Sequence, residues 1–532
     1  MKKILYIISA VTMLFSITSC ADKFDEIDVN PNQTLNPLTY GLFNSANKEY
    51  MTEMRGSFSS GRVALPWVQY SAQRAYTEED RYEYRLTSGV SIWSVSYRVA
   101  QDYKQIIDLN TNPATKEIMS AYGPNDNQIA AARTMLAYVF LNLADSFGDI
   151  PYWSHGNKDA DFQALDINTQ IQPKFASQAK VYADILKELK ESSDMIDTDG
   201  KVFTQGDVLF GSGEKLKKFA NSLRLKVATR VKGTIPGAEG HIADAIASGV
   251  MTSDDDTVGI MYENNLVNPS PMYNDFRTRS DLAVSKTFID LLKGNTGNYG
   301  LDPRLFKYAS KSKLSPAEAA EVPFKSLKAR ILDGSVTEST DLSDYMGMPY
   351  GISSSAAPSQ TATSNFFSKN VYRMDYTEIF MEYAEVQFLL SEANGWSQTN
   401  YINGVRSSLS RWGVSQADAD SYISSLPAAS MENVLTQKYI ALYMQPYEAW
   451  AEYRRTGYPK TLLLPGQTGT YNVPYEGATT YTFTSLISGL TDLPNRLFYP
   501  TSTQSLNRAN YEAASANIGG DLMSSKLIWD KN

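Results

Sequence analysis

The chain has 532 residues, 58 acidic and 49 basic, for a net charge of −9. That balance argues against the basic face that nucleic acid or an anionic membrane surface requires. Apolar residues at 42% and charged residues at 20% suit a globular protein with a sizeable core, and a single cysteine excludes a disulfide framework.

The first predicted element is an export signal. Met1-Lys2-Lys3 precedes an apolar run from Ile4 to Ile17, then Thr18-Ser19-Cys20. Two lysines, a short apolar core and small residues before a cut make a secretory signal over 1–19. The run is shorter than the roughly 20 residues a membrane span needs, and no second long apolar stretch follows. Ile17-Thr18-Ser19-Cys20 resembles a bacterial lipobox, whose thiol takes a diacylglycerol and becomes the mature N-terminus. The alternative is an ordinary secretory signal ending beside an incidental cysteine. Residues 20–36 are polar and turn-rich, with Asn30-Pro31-Asn32 kept out of the helical region, and read as a lipidated tether.

Helical periodicity then dominates. A helix is predicted from about Pro37, with Leu38, Leu42, Ala46 and Tyr50 on one face. Ile92 to Leu109 forms the next, ending before Asn112-Pro113. The clearest runs from Asn125 to Phe147, with Ile129, Ala132, Leu136, Phe140 and Leu143 at steps of three and four, and Gly148 ends it. A second pair starts at Pro173, with the stripe Phe175, Tyr182, Ile185 and Leu189. Its partner carries Leu216, Phe219, Leu223 and Val227 and stops at Gly233. Later come Ile379, Tyr383, Val386, Leu390 and Ala393, then Ile402, Val405, Leu409 and Trp412. Last is a pair with Met431, Leu435, Tyr439 and Leu442 on one helix and Pro446 to Gly457 bounding the other. Paired helices that cannot bury their faces alone stack into a solenoid. The predicted fold is an all-α superhelix of degenerate tetratricopeptide-like pairs, built from about 37–233 and 375–457 of a single domain over 37–532. Between and after these, 234–374 and 458–532 are rich in Pro, Gly, Asn and Ser, with β-prone Tyr481-Thr482-Phe483-Thr484 suggesting a minor hairpin. Long irregular segments of this kind usually carry function.

Most catalytic signatures are missing. His155 and His241 are far apart, and there is no HExxH, paired-cysteine, Walker, dinucleotide or Gly-x-Ser-x-Gly motif. No cofactor or metal is implied. Asp254-Asp255-Asp256 is the densest acidic run and reads as a solvated turn, since it lacks the spaced oxygens of a calcium loop. Carboxylates are numerous enough that counting does not exclude a glycosidase pair. Tyrosines outnumber phenylalanines by 34 to 21, which suits partly wet surfaces. The candidate ligand contacts are Trp67, Gln69, Tyr70, Tyr76 and Trp93, with Tyr273, Asn274 and Tyr350 on the irregular segments. These mix flat aromatic faces, which stack on sugar C–H surfaces, with polar groups for hydroxyl edges. The competing reading places Trp67 and Trp93 in the core.

The C-terminal third carries a resemblance. Glu385-Val386-Gln387-Phe388-Leu389-Leu390-Ser391-Glu392-Ala393, then Gln437 to Leu442, Glu448-Ala449-Trp450 and Glu452-Tyr453-Arg454-Arg455-Thr456-Gly457-Tyr458-Pro459 are similar to signatures of the SusD/RagB-type outer-membrane lipoproteins. Pro494 to Pro500 with Asn507 and Tyr511, Phe147-Gly148-Asp149-Ile150-Pro151-Tyr152 and Leu301-Asp302-Pro303-Arg304 agree with it. These motif residues read as structural: Arg454 and Arg455 can bond free helix carbonyls, and Asp149 can fix a turn. The resemblance implies an outer-membrane lipoprotein, anchored by lipid and facing the cell exterior. Such a protein captures an oligomeric nutrient, usually a glycan and in some relatives a peptide. It passes the cargo to a SusC-like TonB-dependent β-barrel transporter, with no catalysis. A glycan-cleaving enzyme and a purely structural transporter subunit are the other two readings.

Overall fold

The computed structural model describes residues 37–83, 85–473 and 477–530. The expected signal peptide, Cys20 and tether lie outside these residues.

Helix α1 (Thr39–Arg55) buries Phe43, Ala46, Asn47, Tyr50, Met51 and Met54. The expected face is rotated, because Leu38 precedes the helix and is 43% exposed. Asn47 instead faces inward, donating to the Phe43 carbonyl and accepting from the Tyr103 hydroxyl at 2.9 Å. The chain widens into a π-helical segment over Ser57–Ala64 and then forms strand β1 (Ser71–Gln73). Helices α2 (Val90–Thr111), α3 (Asn125–Phe147), α4 (Gln178–Met195), α5 (Gly213–Arg230) and α6 (Ala238–Ala247) each pack on the one before. This is the stacked-pair geometry expected of a solenoid. Helix α3 is buried almost all round, and Gly148 closes it at φ 92°. Helix α4 starts at Gln178 rather than at Pro173. Ala176 is held extended by a bridge to Ile150, and the Ser177 side chain caps the new start by accepting from the Lys180 N–H.

The stretch 234–374 is less irregular than its composition suggests. Besides α6 it holds β2 (Val258–Met261), α7 (Pro271–Thr278), β3 (Leu282–Val284) and α8 (Lys286–Leu292). Strand β3 pairs antiparallel with β1, Ser71 opposite Val284. Asp254–Asp256 forms a 3₁₀ turn in which Asp256 accepts from the Thr252 N–H at 2.7 Å and pairs with Lys218 at 3.1 Å. The acidic run is therefore a cap.

Strand β4 (Thr377–Met381) pairs with β2, and α9 (Tyr383–Ala393) follows at once. Ile379 thus belongs to a strand and not to the helical stripe beginning at Tyr383, because Glu382 between them is extended. Helices α10 (Gln398–Arg411), α11 (Gln416–Ser425) and α12 (Met431–Ala441) close a separate small core around Phe388, Tyr401, Val405 and Tyr422. Helix α13 (Pro446–Thr456) has Pro446 at its start and left-handed Gly457 at its end. A hairpin of β5 (Thr468–Val473) and β6 (Gly477–Thr482) and the helix α14 (Arg508–Asn517) complete the chain. The architecture is all-α with small two-stranded sheets.

The motif residues of the C-terminal third hold these parts together. Arg454 donates to the carbonyls of Asp145 at the end of α3 (2.8 Å) and of Asn495 (2.7 Å). Arg455 bonds Glu392 at 2.8 Å, joining α13 to α9. Arg304 is enclosed among Asp302, Ser408 and Gln437, and Asp149 accepts from the Gln178 N–H at the start of α4.

Candidate functional site

Beyond α1 the backbone is held in unusual conformations. The π-helical segment is one, and such segments recur at functional sites. In addition, three non-glycine residues sit in the left-handed region close together: Gln69 (φ 56°), Tyr76 (φ 62°) and Tyr82 (φ 64°). Each costs about 1–3 kcal/mol, so surrounding contacts must hold it.

Those contacts are visible. Gln69 is fully buried and clamps the backbone of Leu463, donating to its carbonyl at 2.7 Å and accepting from its N–H at 3.0 Å. Tyr82 is buried edge-on to Phe483, with ring centroids 5.5 Å apart. Tyr76 is the exception. Its side chain is 55% exposed, and Phe58 from the π-helical segment is 61% exposed. Two guanidinium groups lie with these rings. Arg62 is 4.5 Å from the Phe58 centroid and 5.8 Å from that of Tyr76; Arg279 is 5.9 Å and 6.0 Å from them. Arg62 lies over the Phe58 ring, and the other three separations fall at the outer edge of the cation–π range. Arg279 is held in turn by Asp281 at 2.7 Å.

A cleft of about 300 Å³ opens beside this ridge, lined by Phe58, Arg62, Glu79, Glu83 and Arg85, with Trp67 at its inner wall. Glu79 is buried, lies 3.4 Å from Arg62 Nε and 3.3 Å from Arg85 Nη1, and accepts from Gln73 Nε2 at 2.8 Å. Burial pushes its carboxyl up to about 7, against the pull of Arg62 and Arg85. Arg85 also pairs with Glu83, so the two carboxylates share one cation. Helix α7 packs on α1 and the π-helical segment, and its Asp275 accepts the Ser57 N–H at 2.7 Å. The site therefore joins aromatic faces to charged and amide edges on a rigid base.

The structure separates the sequence candidates. Tyr76 lies on the ridge, and Asn274 is exposed on α7 beside Arg277. Trp67 packs edge-on to Trp450 with centroids 4.9 Å apart and is 4% exposed. Tyr70 stacks on Tyr439 at 4.7 Å and donates to its carbonyl. Tyr273 sits on the buried face of α7, and Tyr350 is enclosed against Phe483. Gln69, Tyr70 and Tyr273 are enclosed by these contacts and take supporting positions, whereas Trp67 and Tyr350, though nearly buried, each line the wall of a cleft. Trp93 is half-buried against Phe147 and Tyr97 and lines a different groove of about 570 Å³ on α2. Sequence reasoning missed Phe58, Arg62 and Arg279. Phe58 carried a signal, standing alone among Gly56, Ser57, Ser59, Ser60 and Gly61, where an aromatic has no local packing partner.

Among the described residues, no group of three or more His, Cys, Asp or Glu side chains is placed to hold a metal ion. No described helix is long and apolar enough to cross a membrane.

This helical scaffold carries an exposed aromatic ridge, and comparison with known proteins places it in a class. A family model described as "Starch-binding associating with outer membrane" matches residues 23–475, and one described as "Susd and RagB outer membrane lipoprotein" matches residues 425–530. The chain belongs to the SusD-like family of outer membrane lipoproteins. Among solved structures, a chitin-binding protein is 23% identical, with 93% of this chain and 100% of that chain covered and a TM-score of 0.71. A SusD homologue from Bacteroides uniformis is 21% identical, with 93% and 100% covered and a TM-score of 0.70. A chitin-binding SusD homologue from Flavobacterium johnsoniae is 20% identical, with 93% and 99% covered and a TM-score of 0.67. At these identities the likeness establishes the fold. No curated protein matches the chain.

Proposed function

We propose that the protein captures oligosaccharides on the Phe58–Tyr76 ridge and hands them to a TonB-dependent β-barrel transporter. In this reading it is held at the outer face of the outer membrane by lipid on Cys20. The observation that carries the binding role is the pair of exposed rings, flanked by Arg62 and Arg279, beside a cleft. Rigid aromatic faces gain contact area at little ordering cost, and the guanidinium and carboxylate groups beside them match hydroxyl edges. The relatives named for chitin binding and the family described as starch-binding support a glycan over a peptide.

Binding is favoured over cleavage. A glycosidase needs two carboxyls held apart across the scissile bond, with room for the sugar between them. Glu79 and Glu83 are instead tied to the same Arg85. The decisive experiment titrates chito- and malto-oligosaccharides into the protein by calorimetry. The double variant Phe58→Ala/Tyr76→Ala should weaken the best ligand at least tenfold while its melting temperature stays within a few degrees. Unchanged isotherms would remove this site, and new reducing ends after prolonged incubation would replace binding by cleavage.

A further inference from the structure

A second cleft, of about 430 Å³, opens between the β5–β6 hairpin, the start of α8 and residues 460–463. It is built around a glycine. Gly469 faces Tyr481 across the hairpin, and a Cβ at position 469 would lie 2.5 Å from Tyr481 Cζ. The absent side chain lets the tyrosine ring lie across the neighbouring strand. The Tyr481 hydroxyl donates to the Tyr350 carbonyl, which fixes the ring at the cleft wall, half-buried. Around it the lining is hydroxylic, with Thr461, Thr468 and Thr470. An immobilised aromatic ring among hydroxyl groups is a surface for a sugar.

The charges in this cleft narrow the ligand. Lys286 is matched by Asp290, which also accepts from Asn295 at 3.0 Å. Lys460 lines the same cleft, is exposed, and has no carboxylate partner among the described residues. Its ammonium rests 4.8 Å from the Tyr458 ring centroid. Among the described residues the cleft thus carries one unmatched positive charge, in a chain whose net charge is −9. A cation kept free in such a setting, next to hydroxyls, selects an anionic ligand.

We propose that this cleft is a second sugar subsite, selective for a ring that bears an anionic group, either a carboxylate or a sulfate ester. It takes its ligand class from the oligosaccharide reading above but lies on different residues. The test is calorimetric titration of the purified protein at low salt with D-glucuronate, D-glucose 6-sulfate, D-glucuronamide and D-glucose. At least one anionic sugar should bind at least fivefold more tightly than both neutral ones, and which one does so assigns carboxylate or sulfate. Lys460→Gln should abolish that preference and Lys460→Arg should keep it. Equal or undetectable binding of all four sugars, or a preference that survives Lys460→Gln, would overturn the proposal. A preference abolished by Phe58→Ala would place the anionic sugar on the ridge and overturn it too. The ridge is judged separately, by chito-oligosaccharide titration of its own variants, so either reading can fall without the other.

Discussion

Lys226 on α5 extends its ammonium to 3.0 Å from the Glu385 carboxylate on α9, with both side chains almost completely enclosed. The same ammonium lies 3.4 Å from Glu448 on α13. One turn further along α5, Arg230 pairs with Asp145 of α3 and with Glu448. Lys438 on α12 meets Glu452 at 2.9 Å. The two helical halves, α1–α6 and α9–α13, are therefore joined by an alternating array of buried charges. Each ion loses hydration on burial, so the array is tolerable only because nearly every charge has an opposite neighbour.

That arrangement makes single deletions costly. Lys226→Met leaves Glu385 enclosed without its cation, and the loss should be roughly 3–5 kcal/mol in urea-induced unfolding. Adding Glu385→Gln removes the stranded charge and should recover part of the loss, because Glu448 keeps Arg230. A double variant no more stable than Lys226→Met would show that the two residues are not coupled.

Buried carboxyls, in this seam and beside it, also set the pH dependence. Burial raises the carboxyls of Glu378 and Glu385 to about 7, against Arg55 for the first and Lys226 for the second, whereas the unfolded value is 4.5. Between these values the folded state binds more protons. Their contribution is therefore complete below about 4.5 and is lost as pH rises through 7, by at most about 1.4 kcal/mol per pH unit for each group. Glu452 acts oppositely. Despite its burial, Arg455 and Lys438 hold it well below its ordinary range, so its contribution is present above 4.5 and lost in acid. Glu378→Gln should flatten the fall in the urea midpoint between pH 5 and pH 7; an unaltered slope would remove Glu378 as a source.

Much of this scaffold was legible in the residues. The stripe from Ile129 to Leu143 fixed α3 to its ends, and Pro446 with Gly457 bounded α13, because local sterics decide those positions. Pro173 and Ile379 misled for a shared reason. The bridge of Ile150 to Ala176 and the pairing of β2 with β4 are long-range contacts that override local periodicity. The site was harder to read. Trp67 and Tyr70 look like ligand contacts by type, yet their partners Trp450 and Tyr439 lie more than 350 residues away and bury them. Arg279 reaches the ridge through long-range contacts, the pairing of β1 with β3 and the packing of α7 on the π-helical segment.

Cys20→Ser tests the anchor. Buried acyl chains contribute about 0.8 kcal/mol per methylene, and two or more hold a protein firmly to a bilayer. The variant should leave the membrane fraction for the soluble one while keeping the oligosaccharide affinity of the folded domain. Retention of the serine variant in outer membranes would refute lipid anchoring through this residue.

Tyr76 offers a substitution in which binding and stability should part. Its φ of 62° is unfavourable for a residue with a Cβ, by roughly 1–2 kcal/mol, and free for glycine. The ring that justifies the strain is 55% exposed, so little burial is lost when it goes. Glycine also loosens the unfolded chain, which offsets part of the gain. Tyr76→Gly should therefore fold with a stability within about 1 kcal/mol of the parent, and more stable than Tyr76→Ala, which keeps the strain without the ring. Both variants should lose oligosaccharide affinity to the same extent. If glycine proves less stable than alanine, the left-handed backbone at 76 is not a strain held for function. If either variant binds as tightly as the parent, the Tyr76 ring is not part of the sugar platform.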